Sequence, residues 1–286
     1  YKLRGTPLVS ILIPNKDQAD TLRTCLESIK KKCMYPSYEI LIIENNSTEE
    51  ATFSYYKELE AQGIRVLKYP KQGFNYSAIN NFAVREARGE YLLFLNNDVE
   101  IITESWLEEM LQLCQQKDVG MVGAKLYYPD DTIQHAGVVV GLGGVAAHVL
   151  CKLPRDAEGY MGRLRCVQEI SAVTAACMMV KTSVFKAVGG FDEELKVAFN
   201  DIDLCMKVRK YGMKIVFTPY AELYHYESKS RGMEDTPEKQ LRFSREVNCF
   251  RRKWERELLK GDPYYNPNLT LNNTDCSLRK QEKNGD

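Results

Sequence analysis

Leu8-Val9-Ser10-Ile11-Leu12-Ile13-Pro14-Asn15 decides the fold. It is a short, β-rich, nearly continuous apolar run that stops at Pro-Asn. A strand with one wet face alternates apolar and polar residues. A run without that alternation fits a strand buried on both faces, as in a parallel sheet covered by helices. The chain that follows keeps to this reading. Residues 19–32 are amphipathic, with Leu22, Cys25, Leu26 and Ile29 at helical spacing. Residues 39–44 read as a second strand, and Asn45-Asn46-Ser47 as a turn able to cap a helix over 49–62. A third strand is expected at 64–67, a helix at 75–87 stopped by Gly89, and a fourth strand at 91–95. Strands alternating with helices imply right-handed βαβ units and a mostly parallel sheet.

The second half is less regular. Residues 106–116 read as a helix, and 119–122 and 133–140 as strands. Residues 141–165 read as a long, mobile loop. The stretch 172–180 is apolar and buried, 183–188 a short helix, 200–211 a helix and 214–217 a strand. Residues 237–259 read as one long charged helix burying Leu241, Val247, Phe250 and Trp254, followed by an irregular tail. No linker divides residues 1–232, which form one expected catalytic domain; 233–286 form a helical extension and tail.

Composition narrows the function. Lys+Arg and Asp+Glu both number 39, a balance that argues against a dedicated nucleic-acid binder. No apolar run reaches the length of a membrane span. The opening Tyr1-Lys2-Leu3-Arg4-Gly5 lacks both a signal-peptide pattern and an initiator Met, as expected of a domain from a longer protein. Nine cysteines with no CxxC pair argue against a zinc site or disulfide framework, and for reduced, mostly buried thiols in a cytoplasmic protein.

In an open α/β sheet, ligands bind beyond the carboxyl ends of the strands. Polar clusters stand at three such ends: Asn15 and Asp17; Glu44, Asn45 and Asn46; Asn96, Asn97 and Asp98. Each alone can be an ordinary turn or cap. Together they favour a nucleotide pocket. Asp98, at the tip of an apolar strand, can hold a hard divalent cation with sites left for diphosphate oxygens. Asp201 and Asp203 open a helix, where carboxylates either cap and complement the dipole or serve as a general base. His225 is either structural or the completion of a metal shell. Lys229 and Arg231 are either a solvated basic loop or partners for a leaving diphosphate. His135 and His148 carry weaker cases.

These stretches, taken in order, resemble glycosyltransferase family 2 with its GT-A fold. The carriers are Val9-Ser10-Ile11-Leu12-Ile13-Pro14-Asn15, Ile43-Glu44-Asn45-Asn46-Ser47, Leu95-Asn96-Asn97-Asp98, Gly189-Gly190-Phe191-Asp192 and Asn200-Asp201-Ile202-Asp203, with His225 following. The resemblance implies that Pro14 and Asn15 line the base and ribose pocket and that Glu44 contacts the base. It puts Asn80 and Asn81 on the helix beneath the nucleotide. Asn96-Asn97-Asp98 stands at the metal-binding Asp-x-Asp motif, Asp201 at the catalytic base, His225 at a metal-ligating histidine and Arg231 in a loop over the diphosphate. Asn96 departs from the first Asp of that motif, and Asn200 from a common Glu.

The resemblance therefore implies a metal-dependent, inverting transfer, with Mg²⁺ or Mn²⁺, from a UDP- or dTDP-sugar to a hydroxyl of a growing glycan. Asp262-Pro263-Tyr264-Tyr265-Asn266-Pro267-Asn268-Leu269 and Asn75-Tyr76-Ser77-Ala78-Ile79-Asn80-Asn81 resemble bacterial polysaccharide-assembly members, many of them tandem proteins. Expected partners are a glycan or lipid-linked acceptor and further transferase modules, with no nucleic acid. The expected place is the cytoplasm, at the inner membrane face if the acceptor is lipid-linked. The alternative is a non-catalytic module that binds glycan or a partner enzyme, kept open by the Asn96 and Asn200 departures. A dinucleotide enzyme is disfavoured because Gly141-Leu142-Gly143-Gly144 does not open the first βα unit. A nucleotidyltransferase would need a Gly-rich basic loop where Pro14-Asn15-Lys16-Asp17 stands.

Overall fold

The computed structural model describes residues 1–227 and 236–280. The first half runs β1 (Val9–Asn15), α1 (Ala19–Lys32), β2 (Tyr38–Glu44), α2 (Glu50–Ala61), β3 (Arg65–Lys68), α3 (Tyr76–Glu86) and β4 (Tyr91–Leu95). The second half adds β5 (Val99–Ile101), α4 (Trp106–Cys114), β6 (Val119–Tyr127), β7 (Ile133–His135), β8 (Val138–Val140), β9 (Ala146–His148), β10 (Gln168–Ile170), β11 (Cys177–Lys181), α5 (Thr182–Ala187), α6 (Asn200–Lys210), β12 (Lys214–His225), α7 (Pro237–Lys253) and α8 (Glu255–Lys260). The main sheet has the order β10-β12-β6-β11-β4-β1-β2-β3, with β5 added to β12 and β7 to β6. β3, β2, β1 and β4 are parallel, as are β6 and β12; β11 lies antiparallel between β4 and β6. The expected mostly parallel, helix-flanked α/β sheet is what the chain forms.

β1 explains the layering. Ile11 and Ile13 point into the cluster shared with α1, α2 and α4, and Leu12 into the cluster on the other face with α3, α5, α6 and α7. All three are fully buried. Each such side chain contributes roughly 1.5–3 kcal/mol, so the unbroken apolar run is the signature of a sheet covered on both faces. β1 pairs with β2 on one side and β4 on the other, so the chain reverses its direction of winding at β1. The carboxyl ends of these strands splay there and leave a crevice.

Gly89 is needed at this seam. A Cβ on it would lie 2.6 Å from the Ser10 nitrogen, 2.7 Å from the Tyr91 oxygen and 2.8 Å from the Leu8 oxygen. It does not stop the preceding helix as expected: α3 ends at Glu86, and Ala87 is already extended. Nor does Asn45-Asn46-Ser47 cap α2. Asp17 does the related work from the neighbouring loop, where its Oδ1 accepts from the amides of Thr48 and Glu49 at 2.7 and 2.9 Å.

The second half departs further from expectation. Residues 133–140 are two strands, not one, because Gly137 turns the chain with φ 104°. The segment 141–165 is not a loose loop. β9 pairs with β8, and Val145, Val149, Leu150 and Leu164 are buried. β6 and β12 extend well past the stretches read as strands, and β5 and β10 were not anticipated. The single helix expected at 237–259 breaks at Trp254 into α7 and α8. Phe250 and Trp254 are buried as expected and Val247 packs partly against them, but Leu241 is 53% exposed.

Asp203 accounts for that break. It is fully buried. The Trp254 indole donates to its Oδ1 at 2.8 Å, Lys253 Nζ stands at 2.8 Å from Oδ1, and Lys207 Nζ at 3.4 Å from Oδ2. Burial pulls the Lys207 ammonium below its ordinary pKa. The same penalty on Lys253 is outweighed by Asp192 and Asp203, which hold it above. Glu246, 3% exposed, adds a second anchor by accepting from the amides of Val197 and Ala198 at 2.9 and 3.1 Å. The C-terminal helices are thereby fastened to the start of α6.

Two stability measurements follow from these contacts. Gly89→Ala should lower the unfolding free energy by roughly 1–3 kcal/mol, because only backbone atoms can yield; an unchanged urea midpoint would mean that the seam opens freely. Asp203→Ala should cost roughly 3–5 kcal/mol, since it leaves the half-buried Lys207 without its carboxylate and the buried Trp254 indole without its acceptor. A loss of about 1 kcal/mol or less, the range of an exposed ion pair, would reduce this knot to surface chemistry.

Candidate active site

The crevice at the β1/β4 switch opens into a cavity of about 670 Å³ lined in part by Pro14, Asn15, Asn97, Asp98, Asp201 and His225. Its floor is a polar seam. Asn97 Nδ2 donates to Asn15 Oδ1 at 2.6 Å, and Asn15 Nδ2 donates to the Tyr56 hydroxyl at 2.7 Å. The ends of β1 and β4 are thus tied to each other and to α2.

Asp98 and His225 meet because of strand pairing. β5 follows Asp98 directly and pairs antiparallel with the end of β12, with Val99 opposite His225. The Tyr226 amide donates to the Asp98 carbonyl at 2.9 Å. Asp98 Oδ1 then lies 3.2 Å from His225 Nε2, with the two residues 4% and 9% exposed. Asp98 Oδ1 is buried and accepts no hydrogen bond. Asn96, also on the wall, places Nδ2 3.1 Å from the same imidazole nitrogen.

Asp201 reaches the cavity from the other side. Phe199 takes a left-handed turn with φ 62° and α6 begins at Asn200. Asp201 Oδ1 accepts from the Ile202 amide at 2.8 Å and Oδ2 from the Ala175 amide at 3.1 Å. The helix N-terminus favours its negative charge. The Tyr76 hydroxyl donates to the Ala175 carbonyl at 3.0 Å, so one residue, Ala175, holds both groups. Burial, reinforced by the Asp201 charge, pushes the Tyr76 phenol far above its ordinary pKa and keeps it a donor.

A divalent cation can be tested against these donors. An orphaned carboxylate oxygen beside an imidazole nitrogen, both buried, is a pair of suitable ligands. Among the described residues no group of three or more His, Cys, Asp or Glu side chains could hold a metal. Asp98 and His225 therefore fit a cation whose remaining positions are filled by water or by a ligand's oxygens, the open shell that a diphosphate-bound ion requires.

Other expected site residues sit elsewhere. Asp203 belongs to the buried knot under α7 and does not line the cavity, because its carboxylate is consumed by Lys207, Lys253 and Trp254. Glu44 closes its own turn by accepting from the Ser47 amide at 2.6 Å. Asn46, left-handed at φ 57°, braces the following loop through Lys71 and Gly73. Asp17 is held by the loop ahead of α2; burial would raise its carboxyl, but the Glu49 and Thr48 amides outweigh it and leave the pKa low. Asn80 is fully buried and donates to the Tyr76 carbonyl at 2.9 Å. Asn81 clamps the glycine turn, donating to the Phe191 carbonyl and accepting from its amide, each at 3.0 Å. None of these lines the cavity. Lys229 and Arg231 lie outside the described residues.

Some lining groups are given no specific role by the sequence. Asn45, between the two residues expected to bind, is 2% exposed and its Oδ1 has no partner. Lys16, not Asp17, faces the cavity. Gln134 lies against His225. His148 reaches the wall, while His135 is buried behind it, and desolvation holds the His135 imidazole well below its ordinary pKa. Strand periodicity cannot separate Asn45 from Glu44 and Asn46, because the strand ends there and the alternation lapses.

Comparison with known proteins agrees with this architecture. The model for "Glycosyl transferase family 2" matches residues 10–189. The uncharacterized protein y4gI of Sinorhizobium fredii is 51% identical over 281 residues, covering 97% of this chain and 31% of that protein. The O-antigen biosynthesis protein RfbC of Myxococcus xanthus is 41% identical over 287 residues, covering 100% of this chain and 22% of its own length. The chain therefore spans about a third or less of these relatives. Among solved structures, the mannosyltransferase PcManGT of Pyrobaculum calidifontis, in complex with GDP-Man and Mn²⁺, superposes with a TM-score of 0.63 at 16% identity, over 88% of this chain and 65% of that one. That likeness speaks for the fold alone. With the family model covering well over half of its residues, the chain belongs to glycosyl transferase family 2.

Proposed function

We propose that this chain transfers a sugar from a nucleoside diphosphate sugar to a hydroxyl of a growing cell-surface glycan, in one displacement that inverts the anomeric carbon. The observation that carries the reading is the convergence of Asp201 with the Asp98–His225 pair in one cavity, from elements far apart in the chain. Support also comes from the O-antigen relative, which names a class of product, and from the structural neighbour, which holds a nucleotide sugar and Mn²⁺.

In this reading Asp201 is the general base. Its carboxylate takes the proton of the acceptor hydroxyl as that oxygen bonds to the anomeric carbon and the bond to the diphosphate breaks. The Ala175 and Ile202 amides hold the carboxylate aimed. A Mg²⁺ or Mn²⁺ ion held by Asp98 and His225 would supply charge stabilisation to the departing diphosphate. Asn15, Asn97 and the unpartnered Oδ1 of Asn45 are suited to the nucleoside. The donor is a UDP- or dTDP-sugar in our proposal, and the acceptor a glycan, free or lipid-linked. Lys229 and Arg231 are proposed to neutralise charge on the leaving diphosphate. The proposed setting is the cytoplasm, including its membrane face. Among the described residues no helix is long and apolar enough to cross a membrane.

Asp201→Asn should lower turnover by roughly 10²–10⁴-fold while nucleotide binding stays near that of the wild type. Near-normal turnover in this variant would remove Asp201 from the role. Chelation with EDTA should abolish transfer, and added Mn²⁺ or Mg²⁺ should restore it; full activity in EDTA would dismiss the cation. A thermal-shift panel with UDP-, dTDP- and GDP-sugars in Mn²⁺ reads the base directly, and stabilisation by the GDP-sugar alone would overturn the pyrimidine assignment.

A further inference from the structure

Gln134 lies on β7, 4% exposed, and no part of the reaction above uses it. Its amide is bonded at both ends. Nε2 stands 3.3 Å from the His225 carbonyl oxygen and 3.3 Å from Glu227 Oε2. Both are acceptors only, so the nitrogen of the amide must face them. Reversing the amide would set its oxygen against two other oxygens. The orientation is therefore decided by its neighbours, and Oε1 faces His225 Nδ1 at 2.7 Å.

An amide oxygen can only accept. His225 Nδ1 must then carry the proton, and in a neutral imidazole Nε2 is left with its lone pair. That lone pair is directed at the cavity, beside Asp98 Oδ1 at 3.2 Å and within reach of the Asn96 amide at 3.1 Å. In the other tautomer Nε2–H would point at Asp98, satisfy its orphaned oxygen and close the site to a cation.

We infer that Gln134 is a positioning residue that holds His225 in the Nδ1–H tautomer and so keeps Nε2 open toward Asp98. The same amide grips the His225 carbonyl, so it sets the ring and the backbone of that residue together. The consequence for metal binding rests on the cation reading above; the tautomer does not, and can be read in metal-free protein.

The chain has three histidines, so ¹⁵N-histidine labelling gives a spectrum that His225→Ala assigns. In metal-free wild type, at a pH where the ring is neutral, His225 should show a protonated Nδ1 and an unprotonated Nε2. Gln134→Leu, close in volume, should admit the Nε2–H form and weaken Mn²⁺ binding, measured by electron paramagnetic resonance, by roughly 10–100-fold. Gln134→Glu, made together with Glu227→Gln so that its second oxygen meets a donor, keeps an acceptor toward Nδ1 and should retain the wild-type tautomer. A proton on Nε2 in the wild type overturns the inference. So does a folded Gln134→Leu with wild-type tautomer and Mn²⁺ affinity. Should Gln134→Leu not fold, the spectra of the wild type and of the double variant still decide. If the wild type binds no Mn²⁺ at all, the cation reading fails, while the tautomer spectrum continues to judge Gln134.

Discussion

The pairing of Asp98 with His225 in the cavity is set by a ladder of backbone hydrogen bonds. A buried amide or carbonyl left unpaired is costly, so strands inside this sheet must find partners in register. β5 pairs with the end of β12, and that register alone puts His225 beside Asp98 across more than a hundred residues of chain. β11 pairs with β4 and ends its approach at Ala175 and Ala176, whose backbone receives Asp201 and Asn96. Asp98, His225 and Asn96 inherit their positions from this ladder.

The C-terminal helices supply a second kind of constraint. Glu246 grips two amides just ahead of α6, and Asp203 within α6 grips Lys253 and Trp254 on the far side. Buried charges of this sort add little net stability over a well-packed apolar substitute. What they add is a single geometry, because breaking any one contact leaves a charge or an amide stranded. Phe199, strained into the left-handed region, is packed against Phe243 and Phe250 of α7. The turn that presents Asp201 is thus held by a segment that follows it in sequence by some forty residues.

Much of the first half was legible because its signals are local. The unbroken apolar run of β1 and the helical spacing in α1 both act within a few residues. The second half was read less well. Gly137 splits one apolar stretch into two strands, and Trp254 ends α7 because Asp203 pins its indole. Neither break is written in periodicity. Asp203 was the instructive error: two acids one residue apart at a helix start look alike in sequence, yet one faces the cavity and the other the protein interior. Residues two apart on a helix point to different sides.

The sequence by itself determined a covered, mostly parallel sheet, the polar ends of β1, β2 and β4, and the presence of Asp98, Asp201 and His225 as chemically able residues. It did so because apolar periodicity and turn chemistry are properties of neighbours along the chain. Only the tertiary structure decided that these three share a cavity, that Glu44, Asn46, Asn81 and Asp203 serve turns and helix docking, and that Gln134 and Asn45 line that cavity. Those outcomes depend on strand register and helix packing between distant segments, and a register shift of one residue would turn the same side chains to the opposite face.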